Sequence, residues 1–173
     1  MVPIELVWLI IVLLFGLIGV VRGFLKELGV TTVMVVMLFA VTFFEGKITP
    51  VLTRVAVQVA PNDAATVQAA FWIVLIAATA FVSYQGQTLA FEGSDVKGAL
   101  GVFFDLATGL VNGYLIAGSI WYYLDRLGYP LLNISHDTLS PTARALVPMM
   151  PPQLLAPFLL YVAVFLIFMR VVR

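Results

Sequence analysis

Asp105 is the residue in this chain whose chemistry most needs an explanation. It lies inside an apolar run, 98–124, in which Gly101, Asp105, Gly109, Gly113 and Ala117 recur every four residues and therefore share one face of a helix. A carboxylate in the hydrocarbon part of a membrane helix costs about 2.5–3.5 kcal/mol on insertion scales, so it needs a partner, a water or a proton. Lys97 and Arg22 are the cations that could pair with it near an interface. The functional alternative is a cation or proton site, or a polar contact with another subunit, to which Asn112, seven residues on along nearly the same face, would contribute. The small residues of that face predict a seam at which another helix approaches backbone to backbone.

The second cluster is Arg22-Gly23-Phe24-Leu25-Lys26-Glu27. Arg22 and Lys26, four apart, would share a helical face and could hold lipid phosphate or simply anchor the hairpin, and Glu27 could pair with either. Ser83, Tyr84, Gln85 and Gln87 mark the end of a third apolar run, where the chain leaves the lipid core or lines a polar cavity. His136 and Asp137, with Ser135 and Ser140 nearby, invite a hydrolase reading. They are neighbours in a loop without a nucleophile turn or an oxyanion donor, and the reading fails.

The elements that carry these residues follow from composition. Hydrophobic residues make up 62% of the 173 and charged residues 10%, and the mean hydropathy is +1.10. No water-soluble domain of this size sustains such values. Apolar runs at about 4–21, 28–44, 67–90, 98–124 and 154–172 read as helices, because a backbone in lipid must satisfy its own hydrogen bonds. The expectation is an all-α polytopic membrane protein, one domain over 1–173, with four core transmembrane helices and a fifth at the carboxy terminus. Residues 45–66 and 125–153 read as interfacial or loop segments. Within the first, Val51 to Ala60 can form a short helix with Arg54 and Gln58 on one polar face. Within the second, Ser140 and Pro141 can open a short helix between prolines. Trp121, Tyr122 and Tyr123 belong at headgroup level.

Nine Lys and Arg balance nine Asp and Glu, which excludes the basic surface that nucleic-acid binding requires. Without cysteine, and with His136 as the one histidine, disulfides, thiolate sites and histidine metal clusters are excluded, and no cofactor, metal or catalytic residue is predicted. The first apolar run reads as a retained helix, since a signal peptide has a basic leader and a shorter core. With the amino terminus outside and five spans, Arg22, Lys26, Lys97, Arg170 and Arg173 fall inside, against Lys47, Arg54, Arg126 and Arg144 outside. That margin of one predicts an outer amino terminus and a cytoplasmic carboxy terminus.

The run Val21-Arg22-Gly23-Phe24-Leu25-Lys26-Glu27-Leu28, with Glu5, Gly16 and Gly19 upstream, resembles the first-hairpin signature of the colicin V production protein family (CvpA). Ser94 to Gly113 is similar to that family's second signature through Gly101 and Gly109, with Asp105 where a glycine is usual, Thr108 in place of an arginine and Lys97-Gly98 in place of Asp-Arg. The resemblance covers about residues 1–124. It implies a bacterial inner-membrane protein associated with colicin V export or envelope upkeep, and it carries over no catalytic residues. The function expected is a non-enzymatic scaffold or accessory factor whose partners are membrane lipids and other membrane proteins or further copies of itself. The alternatives are a small ion- or proton-linked transporter using Asp105, or an accessory subunit of a larger membrane complex.

Overall fold

A computed structural model describes residues 3–85, 91, 93, 96–132 and 134–172. Among them every regular element is helical: α1 Ile4–Arg22, α2 Phe24–Val59, α3 Ala64–Gln85, α4 Ala99–Arg126, α5 Pro141–Leu146, α6 Pro151–Leu154 and α7 Leu159–Val171, with single 3₁₀ turns at His136–Thr138 and Val147–Met149. The first four are long and apolar enough to cross a membrane. They form a bundle in which α1 lies against α4, and α2 packs on α3, α4 and α7.

Gly23 separates α1 from α2 with φ 91°, a backbone state open to glycine and strained for other residues. The chain thus reverses in one residue, and α2 begins at Phe24 rather than at 28. It also runs on through Pro50 to Val59, where the sequence suggested a stop near 44 and a separate interfacial piece. Pro50 removes the N–H that would bond to the Gly46 carbonyl, yet the ladder resumes on both sides. At 36 residues, α2 is about 54 Å long, well over the roughly 30 Å of a hydrocarbon core.

The predicted fifth span is corrected. Pro157 interrupts the ladder after α6, the chain turns through Leu155 and Phe158, and α7 has 13 residues, about 20 Å. That is shorter than the roughly 30 Å of a hydrocarbon core, so the described helix does not support a fifth span. Instead Leu159, Ala163 and Leu166, spaced on one face, are buried with Val30, Met34 and Leu38 of α2, Trp72 and Ile76 of α3 and Leu115 of α4. The last part of the predicted third span, 86–90, lies outside the described residues, as do Gln87, Ser94 and Arg173.

Burying an apolar side chain against protein gains little over leaving it against lipid chains, so close packing and polar joints hold such a bundle. The α1–α4 seam supplies the first. A Cβ on Gly109 would meet the Phe15 carbonyl and the Cα atoms of Gly16 and Gly19, and one on Gly113 would meet Val12 and Phe15. Gly101 instead packs against the Val96 carbonyl of its own approach loop, and Ala117 is buried farther along α4. At the other end, Trp8 of α1 meets Trp121 and Tyr114 with ring centroids 5.9 and 6.5 Å apart, and Trp72 stacks on Tyr123 at 4.4 Å. Beyond α4, Ser140 accepts a 3.0 Å hydrogen bond from Ala143 N–H to cap α5 and donates one of 2.6 Å to Glu5 of α1, tying the proline-rich segment back to the bundle.

Candidate functional site

The one-residue reversal at Gly23 sets two charged side chains at a helix junction. Arg22 ends α1, where a cation suits the negative end of the helix dipole, and Glu27 sits in the first turn of α2, where an anion suits the positive end. Thr31, four residues on, shares the Glu27 face. The last turn of α3 brings Tyr84 to the same place, and the middle of α4 brings Asn112.

Glu27 is the centre, with no exposed surface. Its Oε2 accepts hydrogen bonds from the Tyr84 hydroxyl at 2.9 Å and from Asn112 Nδ2 at 2.8 Å. The second Nδ2 proton goes to the Glu27 backbone carbonyl at 2.9 Å. Asn112 Oδ1 lies 2.7 Å from the Thr31 hydroxyl, whose one proton is shared with the Glu27 carbonyl at 3.0 Å. Arg22 Nε stands 3.0 Å from Glu27 Oε1, an ion pair without hydrogen-bond alignment. Its Nη1 donates to the Tyr84 carbonyl at 2.8 Å, and its Cζ lies 4.5 Å from the centroid of the Tyr84 ring, a cation–π contact. Four helices thus meet at one carboxylate. In a low-dielectric interior such pairing decides whether a buried charge is tolerated at all.

Asp105 is half-buried and serves a different group. Its Oδ1 accepts a 2.6 Å hydrogen bond from the Phe24 N–H, a donor that has no partner inside α2 because it stands at the helix start. Neither Lys97 nor Arg22, the partners suggested by sequence, is the one it meets. Asp105 and Asn112 share a side of α4 and both engage the beginning of α2, one at its first residue and the other at Glu27. The shared face expected for Arg22 and Lys26 is not formed, since Gly23 breaks the helix between them. Arg22 turns to Tyr84 and Glu27, Lys26 is exposed, and the Phe24 ring packs on Phe104 with centroids 5.5 Å apart.

At the end of α4, His136 Nε2 lies 3.3 Å from Asp125 Oδ1, and the same oxygen accepts from the Tyr129 hydroxyl at 2.9 Å. Tyr129 in turn accepts from Trp121 Nε1 at 2.8 Å. Burial, reinforced by the hydrogen bond to Asp125 and opposed by the one from Trp121, holds the Tyr129 phenol well above its ordinary pKa. Among the described residues no group of three or more His, Asp or Glu could hold a metal ion.

The sequence shows Arg22, Glu27, Asp105 and Asn112 and allows the Arg22–Glu27 pair that forms, but it points Asp105 to other partners than the Phe24 N–H. Tyr84 stands in the sequence among residues that either leave the lipid core or line a polar cavity, and Thr31 gives no signal beyond its spacing of four from Glu27. No protein-family model, curated protein or solved structure matches this chain.

Proposed function

We propose that this is a non-enzymatic scaffold or accessory subunit of a bacterial plasma membrane, acting in secretion or envelope upkeep as the resemblance to the colicin V production protein family implies. The observation that carries this reading is that Glu27 and Asp105 both bind groups on other helices. The polar chemistry inside the bundle fixes helix to helix, leaving the apolar outer faces of α1 and α7 for contact with lipid or partner proteins.

Tagged full-length protein extracted in mild detergent is expected to bring a stoichiometric protein partner with it. A second reading, proton-linked transport, draws on Glu27 rather than Asp105, because a fully buried carboxylate in a membrane bundle is a natural proton site. A single purified species that carries a Glu27-dependent proton flux in proteoliposomes would favour transport and overturn the scaffold.

If the four long helices alone are the spans, the Lys and Arg balance changes. Leaving aside Arg170 and Arg173, which follow the last of them, Arg22, Lys26 and Lys97 lie on one side and Lys47, Arg54, Arg126 and Arg144 on the other. The positive-inside rule then favours a cytoplasmic amino terminus, the reverse of what five spans implied. The chain has no cysteine, so a single Lys26→Cys is expected to label with an impermeant reagent from outside and Arg54→Cys is not; the opposite pattern restores the outer amino terminus.

A further inference from the structure

The carboxy-terminal part of α2 carries a binding face. From Phe24 to Glu45 the helix rises about 32 Å, enough for the hydrocarbon core. Glu45 is there paired with Arg126 at the end of α4. The remainder, to Val59, extends about another 21 Å, and yet it is not polar all round. Phe44, Ile48, Val51, Leu52 and Val55 fall on one face at helical spacing and, with Phe71 of α3, line a groove of about 520 Å³. That volume falls in the range of roughly 300–1,000 Å³ in which single small ligands are held. Lys47 also lines the groove, and Arg54, seven residues on, stands along the same edge. Both are exposed, and among the described residues neither has an ion-pair partner.

We propose that this groove seats one anionic phospholipid, with an acyl chain along Phe44, Ile48, Val51, Val55 and Phe71 and the headgroup phosphate between Lys47 and Arg54. An apolar channel edged by unpaired cations complements that molecule and no uncharged one as well. A second copy docked by two-fold symmetry would bring another Lys47 and Arg54 to the same place and so add like charge. The proposal stands apart from the scaffold reading, since it rests on α2 alone with Phe71 beside it.

The test is native mass spectrometry of the full-length protein in detergent with added palmitoyl-oleoyl phosphatidylglycerol or the phosphatidylcholine of the same chains. The wild type is expected to retain the anionic lipid more tightly. Lys47→Gln and Arg54→Gln are each expected to weaken it about fivefold, leaving phosphatidylcholine unchanged, while Val51→Trp lowers both lipids by filling the groove. Equal retention of the two lipids by the wild type, or a preference that survives in the double glutamine variant, overturns the assignment. So does a dimer that Val51→Trp dissolves, which would give the groove to a second copy.

Discussion

The backbone N–H of Phe24 donates to the carboxylate of Asp105, 81 positions away in the chain, at 2.6 Å. A side chain of α4 thereby caps α2, the role that Ser, Asp or Asn ordinarily plays from within the same segment. Gly23 precedes Phe24 and has no side chain to offer. The charge of Asp105 also faces the positive end of the α2 dipole, so the intramembrane carboxylate has a structural reason to be there.

Asp105→Asn keeps an acceptor oxygen and loses the charge, and is expected to cost less than about 1 kcal/mol. Asp105→Leu leaves the Phe24 N–H unpaired and is expected to cost about 1–3 kcal/mol. Thermal unfolding in detergent, followed by circular dichroism, separates the two. A leucine variant as stable as the wild type would show that the cap contributes nothing.

The glycines give a contrast within one measurement. A Cβ on Gly19 would run into the Asp105 carbonyl and the Cα of Gly109, whereas one on Gly46 would meet nothing within 4 Å. Gly19→Ala is therefore expected to push α1 from α4 and destabilise by about 1–3 kcal/mol. Gly46→Ala, in the interior of α2, is expected to stabilise by about 0.4–1 kcal/mol through its better helix propensity. If both alanines behave alike, the seam is not the close contact described.

The four long helices were legible because hydropathy and length report them directly. The extent of α2 was not, since Pro50 carries the same sequence signal whether a helix stops or passes through it. Nor was the shortness of α7, because hydropathy is blind to the ladder break at Pro157. At the site, the charged residues were visible but their geometry hung on Gly23, whose positive φ turns Arg22 and Lys26 apart. The partner of Asp105 could not have been read at all: a backbone N–H left free at a helix start has no letter in the sequence.

Tyr129 predicts an alkaline limit. It has φ 56° beside Gly128 at 76°, and its hydroxyl, between Trp121 and Asp125, locks the exit of α4. In the unfolded chain the phenol ionises near pH 10, while the native site keeps its proton to higher pH. The folded form therefore binds more protons above pH 10, and stability falls as pH rises through that value. Tyr129→Phe is expected to flatten this decline in unfolding experiments between pH 9 and 11 while lowering stability at neutral pH, because Trp121 loses its acceptor. An unchanged alkaline slope would remove Tyr129 as the cause.

The Arg22–Glu27 pair calls for a double-mutant cycle, because removing one partner measures something different from what the pair contributes. Glu27→Leu leaves the Arg22 guanidinium, with 23% of its side chain exposed, facing Tyr84 and Asn112 groups that have lost their acceptor. Arg22→Met leaves a fully buried carboxylate with neutral donors only. Each single change is expected to cost about 3–5 kcal/mol, the usual penalty for a stranded buried charge. The double variant has no charge to strand and is expected to recover much of that loss, with the residual cost coming from Asn112 Nδ2 and the Tyr84 hydroxyl, now without Glu27 Oε2. Chemical unfolding of the four proteins in one detergent gives the coupling energy. Additive losses would mean that Arg22 and Glu27 act separately, and that the junction of α1, α2, α3 and α4 is held by packing and the neutral hydrogen bonds alone.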